Sequence, residues 1–172
     1  MPELQEPMPE LRGEHVVLRA LEAGHVDALR AIRETPEVSD RWGPLEDDFP
    51  LGDEPESTRF AILVDGEVAG MIQFQEETDP DYRHAEVDIF LAPEHHGQGL
   101  GTDAMVTLTN HLLEERGHHR IVLSVGTDNE QAIRCYEKSG FRRVGVTRYS
   151  GRDYRTRGWA DEFFMELVRL PL

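Results

Sequence analysis

Apolar and polar positions along this chain repeat with two different periods, and the changes of period mark out the elements. Residues 1–11, with three prolines and three glutamates, have neither period and read as a loose N-terminal arm. His15–Leu21 reads as a first strand. Gly24–Glu34 reads as a helix with Val26, Ala28, Leu29 and Ile32 on one side. Pro36, Pro44, Pro50 and Pro55 punctuate residues 35–58, which predicts a long loop with at most short helices. Phe60–Val64 and Val68–Gln75 flank Asp65-Gly66, a hairpin signal.

A fourth strand is expected over His84–Ala92. Gly99–Arg116 follows as a helix, with Leu100, Ala104, Leu108 and Leu112 at four-residue steps. Ile121, Leu123 and Val125 sit in a run that fits a buried strand. The next helix can be capped by Asp128 or Asn129, with Gln131 three positions after Asp128, and Gly140 ends it as a C′ residue. Phe141–Tyr149 and Trp159–Val168 close the chain as a pair of strands, in which Trp159 serves either the core or an acceptor wall. The expected fold class is α/β (α+β), one domain over 12–172 with a central mixed, mostly antiparallel sheet flanked by helices.

Two features of this pattern carry chemistry. In the fourth strand Glu86 and Asp88 share one face, while Val87, Ile89 and Leu91 share the other. Two acids on a strand face are costly unless that face opens on a cleft. Behind the same strand, Gly97-Gln98-Gly99-Leu100-Gly101 leads into a helix. Alternate glycines let backbone N–H groups converge, and a helix N-terminus behind them adds partial positive charge. Such a turn suits an anion, above all a diphosphate. A dinucleotide fingerprint is excluded, because Thr102 stands where the third glycine is required; a P-loop is excluded because no Gly-Lys-Ser/Thr occurs.

The string H-G-Q-G-L-G resembles the acetyl-CoA pyrophosphate loop of the GCN5-related N-acetyltransferases, Gln/Arg-x-x-Gly-x-Gly/Ala, with His96 in the first position. The cradle is mostly backbone, so that departure touches one side-chain contact. N-E-Q-A-I-R-C-Y-E-K-S-G-F, from Asn129, resembles the family's second block, N-x-x-A-x-x-x-Y-x-x-x-G-F. The resemblance covers roughly residues 14–168, with its motifs confined to 84–145.

The resemblance implies the acetyltransferase fold, acetyl-CoA as co-substrate and no metal. It places the cofactor against Phe90, Leu91, His96, Gly97, Gln98, Gly99, Leu100, Gly101, Thr102, Asn129 and Tyr136. Phe90 and Leu91 are the expected bearers of an oxyanion-binding N–H, freed by a bulge in the fourth strand. Asn129 corresponds to an asparagine that bonds pantetheine, or is a plain cap. Tyr136 corresponds to the general acid toward the coenzyme thiolate, or packs helix on sheet. Asp88 matches the active-site aspartate of aminoglycoside 6′-N-acetyltransferases, with Glu86 the alternative base; Trp42-Gly43 and I-R-C-Y-E-K-x-G-F are shared with that branch.

Composition bears on the partners. The net charge is −16, with nine acids and one base, Arg41, between Glu34 and Glu56. Nucleic acid is a poor partner for that surface, and a polycationic small molecule or a basic peptide a good one. Together with the resemblance to the aminoglycoside 6′-N-acetyltransferases, this makes Trp42, Asp47, Asp48, Glu86 and Asp88 the expected acceptor residues, and the resemblance implies an aminoglycoside-like amine as substrate. The alternatives are acetylation of a protein N-terminus, as by ribosomal-protein acetyltransferases, and a non-catalytic acetyl-CoA-binding domain. Six arginines and one aspartate between Arg142 and Arg157 either meet the cofactor's phosphates or offset the acids. No stretch is long and apolar enough to span a membrane, and no basic-then-apolar leader is present. With a single cysteine, Cys135, in mid-helix, a cytoplasmic monomer or homodimer is expected. His95-His96 and His118-His119 lack metal-ligand spacing and read as surface or turn residues.

Overall fold

The computed structural model describes residues 8–52 and 57–170. Asp53, Glu54, Pro55 and Glu56 of the expected acidic loop, and residues 1–7 of the expected arm, lie outside the described residues. Met8 and Leu11, within the range expected as an arm, pack on the core, and β1 (Leu11–Arg12) pairs with β2 (Val17–Ala20).

A single 3-10 turn at Ala23–His25 leads into α1 (Val26–Glu34) and α2 (Pro36–Trp42). The break between the helices is a proline effect. Thr35 is extended, at φ −63° and ψ 140°, as a residue before proline prefers, and Pro36 then starts α2 where its missing N–H costs nothing. The hairpin of β3 (Ser57–Val64) and β4 (Glu67–Glu77) turns through Asp65 and Gly66, both at positive φ. The chain continues as β5 (His84–Leu91), α3 (Leu100–Glu114), β6 (Arg120–Gly126), α4 (Glu130–Lys138), β7 (Arg142–Asp153) and β8 (Gly158–Val168).

These strands form one eight-stranded sheet in the order β1-β2-β3-β4-β5-β6-β8-β7. Every neighbouring pair is antiparallel except β5 and β6. That parallel contact is short: Ala85 pairs with Ile121 and Glu86 with Val122, and beyond them the two strands part. The sheet is therefore split in its middle.

Helices cover both faces. On one, α3 and α4 pack Leu100, Leu108, Leu112, Ile133 and Tyr136 against Phe74, Val87, Leu123 and Met165. On the other, α1 and α2 pack Leu29, Ile32 and Val38 against Met71, Phe90 and Phe49. The alternation expected of β5 is present: Ala85 and Val87 enter the first core, Phe90 the second, and Glu86 and Asp88 lie on the second face.

Several expectations are corrected. His118 is buried, not a surface residue; its Nε2 meets the Glu76 carboxylate, which Arg116 also grips. Trp159 is neither core nor cavity wall. It is 56% exposed beneath the Arg152 guanidinium, 5.0 Å from its ring centroid. Among the described residues no helix is long and apolar enough to cross a membrane, and no His, Cys, Asp or Glu group is placed to hold a metal ion.

Candidate active site

The split between β5 and β6 opens into a cavity of about 760 Å³. Its walls include Asp88–Leu91 on one side of the split and Ser124–Gly126 on the other. From the α3–α4 side come His95–Gly97, Gly99–Thr102, Asn129, Arg134, Tyr136 and Lys138. From the opposite side come Glu37, Val38, Asp40, Arg41, Trp42, Arg155 and Glu162. One space thus reaches both faces of the sheet, with a basic, glycine-lined end and an end richer in acids.

At the basic end, Gly97 (φ 74°) and Gly99 (φ 77°) take the left-handed conformation, and a Cβ on either would meet nothing. Backbone conformation, not space, demands glycine there. Gly101 answers a different need, because a Cβ would come within 3.2 Å of Cys135 Sγ on α4. The first intrahelical bond of α3 is Asp103 N–H to the Gly99 carbonyl, at 3.0 Å. The N–H groups from Gly97 to Thr102 have no acceptor among the described residues, as at any open helix start. Asp103 itself faces away, accepting the N–H groups of Glu14, His15 and Val16 at 2.7–2.9 Å. These donors, with Arg134 and Lys138 beside them, fit a diphosphate. The side chains of His96 and Gln98, both expected at the cofactor, bond within the protein: His96 Nε2 lies 2.9 Å from the Leu91 carbonyl, and Gln98 donates to the Glu94 carbonyl. Gln98 does not line the cavity.

Tyr136 is set by the way α4 ends. Phe141 N–H returns to the Tyr136 carbonyl at 3.0 Å and Gly140 N–H to the Glu137 carbonyl at 3.1 Å, around Gly140 at φ 102°. This paired closure brings Phe141 back onto the tyrosine, ring centroids 6.2 Å apart. The phenol reaches the cavity, and its Oη has no hydrogen-bond partner among the described residues. Burial, with the Asp88 charge added, holds its pKa well above the usual 10. Asn129, not Asp128, is the helix cap, through a long 3.4 Å contact from Ala132 N–H. Cys135 is also at the wall, where burial raises its thiol pKa, as suits packing rather than reactivity.

No bulge interrupts β5 along β4; the register runs unbroken from Gly70↔Leu91 to Glu77↔His84. Free donors arise instead from the split. Ala92 N–H bonds the Ala69 carbonyl at 2.8 Å, so by antiparallel alternation Phe90 is tied to Met71, and Leu91 points its N–H toward β6. Leu91 alone of the expected pair offers an N–H to the cavity. Asp88 accepts the Ile89 N–H at 2.9 Å and has no cationic partner among the described residues. It keeps solvent contact through the cavity, but protein surrounds it on the other sides. That desolvation, with Glu86 and Glu162 as like charges, pushes its pKa up to about 7.

The acid-rich end differs most from expectation. Trp42 lines it, edge-on to Phe90 at 5.0 Å and 84°. Asp47, Asp48 and Glu86 do not line the cavity. Asp47 and Asp48 lie in a turn whose carbonyls Arg30 holds, and Glu86 sits two residues before Asp88 on the same strand face. In their place the structure brings up Glu37 and Asp40 from α2 and Glu162 from β8. Glu162 accepts a 2.9 Å bond from Ser150, which a two-residue excursion of β7 between Thr147 and Gly151 delivers. That excursion has no sequence signature of its own.

Three of the six arginines of 142–157 offset acids: Arg142 meets Glu166, Arg143 meets Glu137 and Arg155 meets Asp153. Arg155 also shares Asp128 with Arg41, at 2.8 and 2.7 Å. Held by both, Asp128 has its pKa drawn down to about 2.

The profile described as "Acetyltransferase (GNAT) family" matches residues 25–141. The spermidine N(1)-acetyltransferase of Escherichia coli (strain K12) is 34% identical over 87 residues, 51% of this chain and 46% of that protein. An aminoglycoside N(6′)-acetyltransferase type 1 of Klebsiella pneumoniae is 34% identical over 101 residues, 52% of this chain and 49% of the other. The chain thus aligns with about half the length of these relatives. The crystal structure of a GNAT-family acetyltransferase from Bacillus anthracis superposes with a TM-score of 0.81 at 19% identity, covering 93% of this chain and 98% of that one. Fold, split sheet and family profile agree, and the chain belongs to the GNAT family of acetyltransferases.

Proposed function

We propose that this protein is an acetyl-CoA-dependent N-acetyltransferase whose acceptor is a small polycationic amine of the spermidine or aminoglycoside kind. The observation that carries the acceptor class is a pair of carboxylates, Asp88 and Glu162, both on the cavity and neither ion-paired among the described residues. Glu37 and Asp40, also on the wall, have no ion pair among the described residues either, whereas Asp128, which does not line the cavity, is held by Arg41 and Arg155. Carboxylates left without a counter-charge in a cleft favour a cationic ligand. The two curated relatives, named for spermidine and aminoglycoside acetylation, support the same class.

When bound, acetyl-CoA supplies the thioester carbonyl and the departing thiol. The chain's own residues do the rest. The N–H groups from Gly97 to Thr102, with Arg134 and Lys138, hold a diphosphate, and the free edge of β5 accepts an extended arm as an added strand. Leu91 N–H faces the split, where charge develops on the carbonyl oxygen. Asp88 attracts the ammonium and takes its proton, directly or through water; a pKa near 7 suits a base working near neutrality. Tyr136, kept protonated by its raised pKa, donates from Oη to the departing sulfur.

A thiol-release assay with acetyl-CoA across polyamines, aminoglycosides and peptides with free N-termini tests the reading. Polycations should give the highest kcat/KM. A neutral amine or a peptide N-terminus as best acceptor would overturn it.

A further inference from the structure

Arg33, on α1, is 1% exposed, yet it touches neither the cavity nor an enclosed acid. Its only carboxylate partner among the described residues is Glu46, 3.3 Å from Nη1 and 61% exposed. A guanidinium keeps its charge at any working pH, and an apolar side chain of similar volume would fill such a place at no greater cost. Packing alone does not account for an arginine here.

Its contacts all fall on one segment. Nη2 lies within 3.2–3.5 Å of the carbonyls of Trp42, Gly43 and Pro44, where α2 ends with Gly43 at φ 84°. The guanidinium carbon is 4.6 Å from the Phe49 ring centroid and 5.6 Å from that of Trp42. Arg33 thus sets both the path of the chain leaving α2 and the plane against which the Trp42 ring rests. Trp42 in turn lies edge-on to Phe90, and both rings line the cavity.

We infer that Arg33 is a positioning residue for acceptor recognition, acting through Trp42. The inference rests on the reading above only in taking the Trp42 side of the cavity as the acceptor side. The rest of the segment has its own support, since Arg30 Nη1 holds the carbonyls of Glu46, Asp47 and Phe49 at 2.7–3.3 Å. Loss of Arg33 should therefore loosen the tryptophan rather than unfold the chain.

A double-mutant cycle between Arg33→Met and Trp42→Ala tests it, using whichever amine the thiol-release panel accepts best. Arg33→Met should raise acceptor KM by roughly tenfold, the scale of a displaced substrate wall, and leave acetyl-CoA KM unchanged. In the Trp42→Ala background the same change should cost less than about twofold, because the residue it acts through is gone. Arg33→Lys keeps the charge but not the fork, and should fall between; it carries the cycle if Arg33→Met does not fold. In a Trp159→Phe background, where Trp42 is the only tryptophan, Arg33→Met should also shift the emission maximum. Additive effects in the cycle, equal changes in both KM values, or unmoved Trp42 emission would each overturn the inference. A neutral best acceptor would overturn the polycation reading while leaving the cycle readable, and emission reads Trp42 even if no amine is acetylated.

Discussion

On its α3–α4 side the cavity presents the Gly97–Thr102 turn, the start of α3 and the free edge of β5, with Arg134, Tyr136 and Lys138 of α4. On its α2 side it is bounded by side chains from separate segments: Trp42 and Asp40 from α2, Asp88 from β5, Arg155 and Glu162 from the last hairpin. A diphosphate is the same in every such protein, and a backbone turn with two left-handed glycines ahead of a helix is suited to one. An acceptor differs from one enzyme to the next, and dispersed side chains can change one at a time. The two sides should therefore fail differently when altered.

The largest effect is expected where the sides meet. Asp88→Asn should lower kcat by about 10³-fold, within the range for losing a general base, and raise acceptor KM as well. In the wild type kcat/KM should fall as pH drops through about 7, and the variant should lack that limb. Stability should move the other way. Asp88 has a folded pKa of about 7 against an ordinary 3.8, so it favours the fold below the ordinary value and loses that contribution as pH rises through 7. Asp88→Asn should accordingly raise Tm at pH 8 more than at pH 4. A variant less stable at pH 8 would mean that the carboxylate is satisfied in a way the geometry does not include.

Tyr136→Phe should come next, lowering kcat by roughly 10²-fold with acetyl-CoA affinity nearly unchanged, because only a proton donor is removed. Turnover within a few-fold of wild type would reduce Tyr136 to its contact with Phe141.

The α3–α4 side should respond to charge. Gly99→Asp puts a carboxylate at the cradle, and acetyl-CoA affinity measured by calorimetry should fall by more than tenfold, about 1.4 kcal/mol. Gly99→Asn has nearly the same shape and tolerates φ 77° about as well, so it isolates the charge. Equal losses in the two variants would assign the effect to backbone strain.

The same contrast explains what could be read in the sequence. The glycine turn, the N-x-x-A-x-x-x-Y string and the face shared by Glu86 and Asp88 are local patterns, and the cavity gathers most of the residues they name. The Schellman-type stop at Gly140 was legible too, and it orients Tyr136. What escaped depends on tertiary approach. Glu162 reaches the cavity because β7 makes an excursion that puts Ser150 against it, and no local pattern marks that. The expected bulge in β5 failed for a related reason: free N–H groups there come from the parting of β5 and β6, a property of two strands far apart in sequence. Asp47 and Asp48 stand out in the sequence for the density of acids around them. Density does not say which way a turn faces.

That last point yields the smallest expected effect and the sharpest division between local contact and general field. If the acceptor is held by carboxylates at the wall, Glu162→Gln should raise acceptor KM by about fivefold to tenfold, less than the loss of one partner from a fully buried charge pair because Glu162 is only half-buried. Asp47→Asn with Asp48→Asn should change it by less than about twofold, since charges beyond a Debye length of about 10 Å at 0.1 M salt are largely screened. Raising salt should lift acceptor KM in the wild type and in the Asp47/Asp48 variant alike, and should lift it less in Glu162→Gln, which has already lost part of the attraction. Acetyl-CoA KM should move little in all three. A large KM increase from Asp47 and Asp48, with Glu162 indifferent, would mean that the acceptor is drawn by the summed acidity of residues 34–56 rather than by the cavity wall.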